Sequence, residues 1–294
     1  MKGALTMSTN TQLLKALGGL VLLGMITSVF SAKDPKIKPA ELVAKHLDSI
    51  GPPEARAQAG GMQIKGTSLL SVRQGGRGQI EGQTLMASQG IKNMIDMTFA
   101  SSEYPQELLK FDGKEFTASQ FRPGMRTSLA QFFMTNDVLF KEGLFGGVLS
   151  ASWPLLNLSD KNPKLEYAGL KKVGGKQLHA LKYTPRKGSD LKITLFFDAE
   201  TFQHIRTEYE RTIYPTDQQR IPATGQVSAP STQRSSNARI NAFEEFSEFR
   251  SESGLNLPHI YKFELSIQSE VRPALIDWTF NLTDFNFGGV SEFK

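Results

Sequence analysis

The chain has 294 residues, 39% hydrophobic and 21% charged, with a formal net charge of +5 and no cysteine. That composition is globular rather than disordered or fibrous, and the missing cysteines exclude disulfides, thiol catalysis, thiolate metal sites and a lipid-bearing N-terminal Cys. The positive excess is spread along the chain with no Lys/Arg cluster, which favours solubility and weak attraction to anionic surfaces and excludes a nucleic-acid footprint.

Near the start of the chain, the stretch "LLKALGGLVLLGMITSVFSAKDP" from Leu13 sets Lys15 before an uncharged apolar run, then small residues, then a charged, proline-containing segment. This is the layout of a secretory signal peptide. Cleavage is expected after Ser31, with Val29 and Ser31 as the small residues; a cut after Ala32 would place bulky Phe30 at the third position back. An uncleaved anchor stays open, because the run is near the lower length limit for a span. Removing residues 1–31 takes away Lys2 and Lys15 and no acid, leaving a net charge of +3. Residues 32–294 then form one domain in a periplasm-like compartment, long enough to be stabilised by its core without disulfides.

After the signal, Pro39 starts an amphipathic helix with Leu42, Val43, His46, Leu47 and Ile50 at three-to-four spacing, stopped by Gly51-Pro52-Pro53. From Gln63 the pattern alternates. "QIKGTSLLSVR", "QIEGQTLMAS" and "IKNMIDMTF" read as strands, the last with Ile91, Ile95, Met97 and Phe99 on one face. "ELLKFDGKEFTASQF" reads as two more, joined by a two-residue hairpin at Asp112-Gly113. Residues 127–158 break the alternation. Ser128 is a helix cap, Leu129, Phe132 and Phe133 share a helical face, and "GLFGGVLSASWPLLNL" follows without a charged side chain. Strands resume near Lys164, with turns at Gly174-Gly175 and at Asp198-Ala199-Glu200, and Leu191, Ile193, Leu195 and Phe197 on one side. Residues 215–238 are a polar, low-complexity excursion too poor in apolar residues to pack. The last strands put Ile276, Trp278, Phe280 and Leu282 on one face.

The fold expected is therefore mainly β: a single curved antiparallel sheet of eleven or twelve strands, an incomplete half-barrel, with short helices as its lid or plug. No strand–helix–strand repeat appears, which disfavours a parallel sheet. The apolar concave face of such a sheet must be covered, and the apolar helical material the chain offers for it is the N-terminal helix and residues 128–158.

Four segments carry a resemblance: "FDGKEFTA", "VGGKQLHALKYTP", "DLKITLFFDAETFQHIRTEYE" and "FSEFRSESGLNLPHIYKFEL". Together they resemble the periplasmic lipoprotein-carrier superfamily, the LolA- and LolB-like proteins and their sigma-factor-regulating relatives. The matching positions are Asp112-Gly113; Gly175, Leu181 and Pro185; Ile193, Leu195, Asp198 and Thr201; and Gly254, Leu257 and Pro258. The resemblance spans roughly residues 36–294 and implies a half-barrel whose apolar cavity takes up acyl chains or hydrophobic segments, with no catalytic residue to carry over. Two departures are the long excursion at 215–238 and the absence of a lipid-bearing Cys, which rules out anchoring of the kind used by the receptor members.

Chemistry beyond that is sparse. His46, His179, His204 and His259 stand in no ligand spacing, so no metal site is expected. Glu244, Glu245 and Glu248 read as exposed acids beside buried Phe243, Phe246 and Phe249. No nucleophile elbow or phosphate loop is present, and neither an enzyme nor a cofactor is expected. The informative set is apolar. Phe132, Phe133, Phe145 and Trp153 in the insertion, with Leu195, Phe197, Tyr209, Tyr261, Phe263 and Trp278 on the strands, either fill the core or line a ligand cavity, and Gly143, Gly146 and Gly147 are candidate lid hinges. The cavity reading gives a carrier of a lipid or lipoprotein acyl chain with transient membrane contact. The filled reading gives an envelope regulatory or scaffold module that binds a protein partner.

Overall fold

The helix at Pro39 forms as its spacing dictates: α1 (Pro39–Ile50) buries Leu42, Val43, His46 and Ile50, and α2 (Pro53–Gln58) restarts after the Gly51-Pro52 break. The computed structural model describes residues 37–76, 78–120, 122–213, 238–268 and 273–293; the signal segment 1–31 and, apart from the backbone of Ala238, the excursion at 215–238 lie outside the described residues.

Five strands follow as a meander: β1 (Gly61–Gln74), β2 (Gly78–Gln89), β3 (Lys92–Phe99), β4 (Gln106–Phe111) and β5 (Phe116–Ala118). An insertion comes next, made of α3 (Ser128–Thr135), α4 (Val138–Lys141), a 3₁₀ turn at Gly147–Leu149 and α5 (Leu158–Lys161). Seven more strands complete the chain: β6 (Lys164–Val173), β7 (Lys176–Thr184), β8 (Lys192–Asp198), β9 (His204–Ile213), β10 (Ala238–Glu252), β11 (Leu255–Gln268) and β12 (Ala274–Phe287).

All twelve strands join one antiparallel sheet in the order β5-β4-β3-β2-β1-β12-β11-β10-β9-β8-β7-β6. The first and last strands pair at its centre, Met62 opposite Phe287 and Leu70 opposite Trp278. The sheet stays open, with β5 and β6 as its edges. The insertion links those two edges, so it must cross from one side of the half-barrel to the other. The edges themselves invite little pairing: β5 has three residues, and β6 carries three lysines and a register shift between Tyr167 and Leu170.

Alternation sorts the faces as the pattern requires. Ile193, Leu195 and Phe197, and Trp278, Phe280 and Leu282, all point into one continuous core beneath the insertion and α1. Two smaller apolar clusters sit on the opposite face, one of Ala87, Met94 and Val290 and one of Leu178, Ala180 and Phe196.

Several local expectations are corrected. The β4–β5 connection is a four-residue loop, not a two-residue hairpin. Asp112 Oδ1 accepts the backbone N–H groups of Lys114 and Glu115, each at 2.8 Å, and Phe111 pairs with Phe116. The acceptor side chain widens the turn beyond what Asp-Gly alone specifies. Asp198 repeats the device, accepting from Glu200 and Thr201 at 3.0 and 2.9 Å. The cap of α3 is Thr127, whose Oγ1 accepts from Ala130 N–H at 3.0 Å, and Ser128 is the first helical residue. Ile91 is 54% exposed because it lies in the β2–β3 turn; the buried residues of that face of β3 are Asn93, Ile95, Met97 and Phe99.

Candidate functional site: the lid and the floor beneath it

The insertion is apolar where it meets the sheet. Phe133 is the hub of a ring cluster, with centroids 4.8 Å from Phe145, 5.0 Å from Phe140 and 5.5 Å from Phe263 on β11. Phe246, Tyr261 and Phe280 continue it across three adjacent strands as a stacked column with spacings of 5.2 and 5.1 Å. A second cluster forms around Trp153, whose ring stacks on His204 at 4.7 Å. All ten residues named from the sequence as cavity-lining belong to this one core.

The lid's backbone is shaped by glycine where side chains would collide. Gly143 has φ +78° and its Cβ would lie 2.0 Å from the Ser152 carbonyl oxygen; Gly147 has φ +50° and its Cβ would lie 2.8 Å from His204 Nδ1. Gly146 is also left-handed, at φ +80°. Each conformation strains an L side chain.

Polar ties pin the lid to both halves of the sheet and to α1. Ser88 on β2 accepts Ala151 N–H at 2.8 Å. Asn93 on β3 donates to the Phe140 carbonyl at 3.0 Å and to Ser152 Oγ at 3.1 Å. Tyr183 on β7 donates to Glu142 at 2.8 Å, and Arg211 on β9 donates to Asn136 at 3.2 Å. From α1, His46 Nε2 accepts the Trp153 indole N–H at 3.1 Å, which leaves its Nδ1–H to donate to the Phe202 carbonyl, also at 3.1 Å. Burial lowers the His46 pKa to about 4, the Phe202 bond opposing it, so this histidine is neutral at physiological pH.

Two buried carboxyls complete the ties, and neither was legible as such. Glu244, expected to be exposed, is fully buried. The inward parity of β10 is Ala242, Glu244 and Phe246, while Phe243 turns to the opposite face under the Arg206 guanidinium, 3.7 Å from its ring centroid. Glu244 Oε1 accepts from Gly146 N–H at 3.0 Å and from the Tyr261 hydroxyl at 3.1 Å, and Oε2 faces the Tyr209 hydroxyl at 3.4 Å. Burial raises its pKa to about 8 against the pull of those donors, so it is mostly protonated at neutral pH. Glu107 on β4 is likewise buried and raised by desolvation; it accepts from Tyr104 and from Thr127, the cap of α3. The sequence signal for both was a carboxylate at an inward strand position, where a charged residue must be paired or neutral.

His46 and His204 meet, with ring centroids 6.1 Å apart, whereas His179 hydrogen-bonds Tyr167 away from them. Among the described residues no group of three or more His, Cys, Asp or Glu is arranged to hold a metal ion, and no helix is long and apolar enough to cross a membrane.

Where the first turn of α3 approaches β1, β2 and β12, a groove of about 480 Å³ remains, walled by Leu70, Ile80, Leu129 and Trp278. That volume lies within the usual range for small-molecule sites, about 300–1,000 Å³.

No protein-family model matches the chain, and no curated protein does. Among solved structures it is similar to a LolA superfamily protein from Nitrosomonas europaea, at 9% identity and TM-score 0.47, with 87% of this chain and 96% of that chain covered. It is similar to a DUF1329 family protein from Desulfovibrio piger, at 12% identity and TM-score 0.45, covering 89% and 98%. A domain described as an outer membrane lipoprotein-sorting protein from Vibrio parahaemolyticus is similar at 11% identity and TM-score 0.43, covering 87% and 96%. Likeness of this degree carries no information on ligand or partner.

Proposed function

We propose that the protein is an exported, non-enzymatic carrier that shields the acyl chain of a lipid or lipoprotein in the periplasm and touches membranes only transiently. The observation that supports this reading is the open groove at the start of α3, whose apolar walls Leu70, Leu129 and Trp278 belong to the same core as the rings under the lid. In this reading the structure is the closed state. Phe132, Phe133, Phe145 and Trp153 occupy the space that an acyl chain takes when the lid swings on Gly143, Gly146 and Gly147. Leu195, Phe197, Tyr209, Tyr261, Phe263 and Trp278 form the floor. Burial of an acyl chain is worth about 0.8 kcal/mol per CH₂, and displacing the packed lid costs part of that, which lets cargo be released.

A second reading, an envelope scaffold that binds a protein partner, has its own support in the filling of the concave side by the chain's own side chains. Recognition then falls to a sheet edge or to residues 215–238. Native mass spectrometry of the exported protein, purified without detergent and then solvent-extracted, separates the two. A stoichiometric extra mass that extracts as lipid is the outcome expected of a carrier. A bare protein that also takes up no fluorescent fatty acid would leave the scaffold as the working model.

A further inference from the structure

The groove beside α3 is asymmetric in chemistry. Leu70, Val72 and Ile276 make apolar walls, whereas Arg122 and Arg126 stand on its rim with a single acid, Glu103. Arg126 is exposed and makes no ion pair with a described residue. The Arg126 guanidinium thus puts a positive charge beside a low-dielectric wall, where a charge attracts an opposite one more strongly than in open water.

The second observation comes from the wall itself. Trp278 is 2% exposed, and its Nε1–H makes no hydrogen bond of good geometry, the Tyr104 hydroxyl beside it being a poorly placed acceptor. A buried donor without a well-placed acceptor is unfavourable until one is supplied. The groove thus combines a surface for hydrocarbon, a lining indole whose buried donor is poorly satisfied, and a cationic rim.

We infer that the groove is the seat of an anionic phospholipid, its acyl chains along Leu70, Val72 and Ile276, its phosphate at the Arg126 rim, and its ester oxygens supplying the well-placed acceptor that Trp278 lacks. This rests on the carrier reading and narrows it: the headgroup is selected by charge, and a zwitterionic lipid of equal chain length is a poorer ligand. Arginine suits the role because its planar donors pair with phosphate oxygens in a fork.

The test is isothermal titration calorimetry of the full-length protein. Its probes are dihexanoyl phosphatidylglycerol and dihexanoyl phosphatidylcholine below their micelle concentrations, with inorganic phosphate alone as a third. The expected result is a preference of at least about tenfold for the anionic lipid, on the scale of one charge-assisted hydrogen bond, with no binding of free phosphate. Arg126→Gln, an exposed position whose variant should keep the wild-type circular dichroism, should bring the preference close to unity, weakening phosphatidylglycerol strongly and phosphatidylcholine, whose choline already offsets its phosphate, much less. Equal affinity of the wild type for both lipids overturns headgroup selection while leaving a carrier standing. Free phosphate that binds as tightly as the lipid overturns the lipid assignment in favour of an anion site. Binding of neither lipid overturns the inference, and a bare protein in native mass spectrometry is then what removes the carrier reading as well.

Discussion

Glu244 sets the pH response of the closed lid. Its carboxyl titrates near 4.5 in an ordinary setting and at about 8 beneath the lid. A raised pKa means that the stabilisation is complete below the ordinary value and is lost as pH rises through the folded one. Between about pH 4.5 and 8 the closed state should therefore weaken, by at most about 1.4 kcal/mol per pH unit from this residue. Urea midpoints at pH 5 and pH 8 should differ more in the wild type than in Glu244→Gln, which keeps the shape and cannot ionise; equal differences would remove Glu244 from the account. Trp153 gives a second expectation at this scale. Trp153→Phe keeps the stacking but strips His46 of its donor, and it should cost about 1–3 kcal/mol by denaturant unfolding. Side-chain roles of this kind were poorly legible in the sequence. Apolar alternation identified Leu195, Phe197 and Trp278 as inward, whereas Glu244 read as an exposed acid because hydrophobicity patterns judge a carboxylate by its charge and not by the donors that await it across the core. The meeting of His46 with His204 depends on the packing of α1 against strands far away in sequence, and no spacing encodes that.

Among the elements, the insertion is the one whose stability is separable from the sheet. Its contacts to the floor are ring packing and isolated hydrogen bonds, donated by Asn93, Tyr183 and Arg211 and accepted by Ser88 and Glu244, rather than a ladder. The cysteine-free chain makes its opening measurable. Ser152→Cys introduces the protein's sole thiol at a 6% exposed lid position of nearly the same size, and its maleimide labelling rate reports how often the lid lifts. Adding Gly147→Ala forces a methyl against His204 and Phe246. Labelling should accelerate by about tenfold or more, the effect of somewhat over 1 kcal/mol, with the far-ultraviolet circular dichroism unchanged. An unaltered rate would mean that lid and sheet open only together. The insertion's existence was readable from the loss of alternation and the run of uncharged residues after Gly143. Its internal breaks were not, because α4 and α5 have four residues each and too little periodicity to mark them. Thr127 was missed as the cap because Ser128 beside it is an equally good one by type.

At the scale of the molecule, the strand count and antiparallel character followed from alternation and turn residues, and glycine placement marked several of the turns but mistook the length of the one at Asp112-Gly113. The pairing of β1 with β12 was not legible, since no local pattern states which distant strand completes an edge. That pairing predicts the effect of truncation. A chain ending at residue 273 loses Trp278, Phe280 and Leu282 from the core and leaves β1 and β11 each with an open edge at the sheet's centre. It should give no cooperative urea transition and should be cleaved rapidly by protease. A cooperative transition near the wild-type midpoint would show that the two halves of the sheet are stable apart.

The central seam also dictates timing. Met62 and Phe287 are partners separated by more than 200 residues, so the five-strand meander that emerges first cannot be zipped to its neighbour until the last strand has been made. Contacts so remote in sequence form slowly, because the loop entropy is spent before any pairing rewards it. A chain built this way stays loose while it is being made and locks when β12 arrives, so the order of its strands postpones closure of the sheet to the last step of its synthesis.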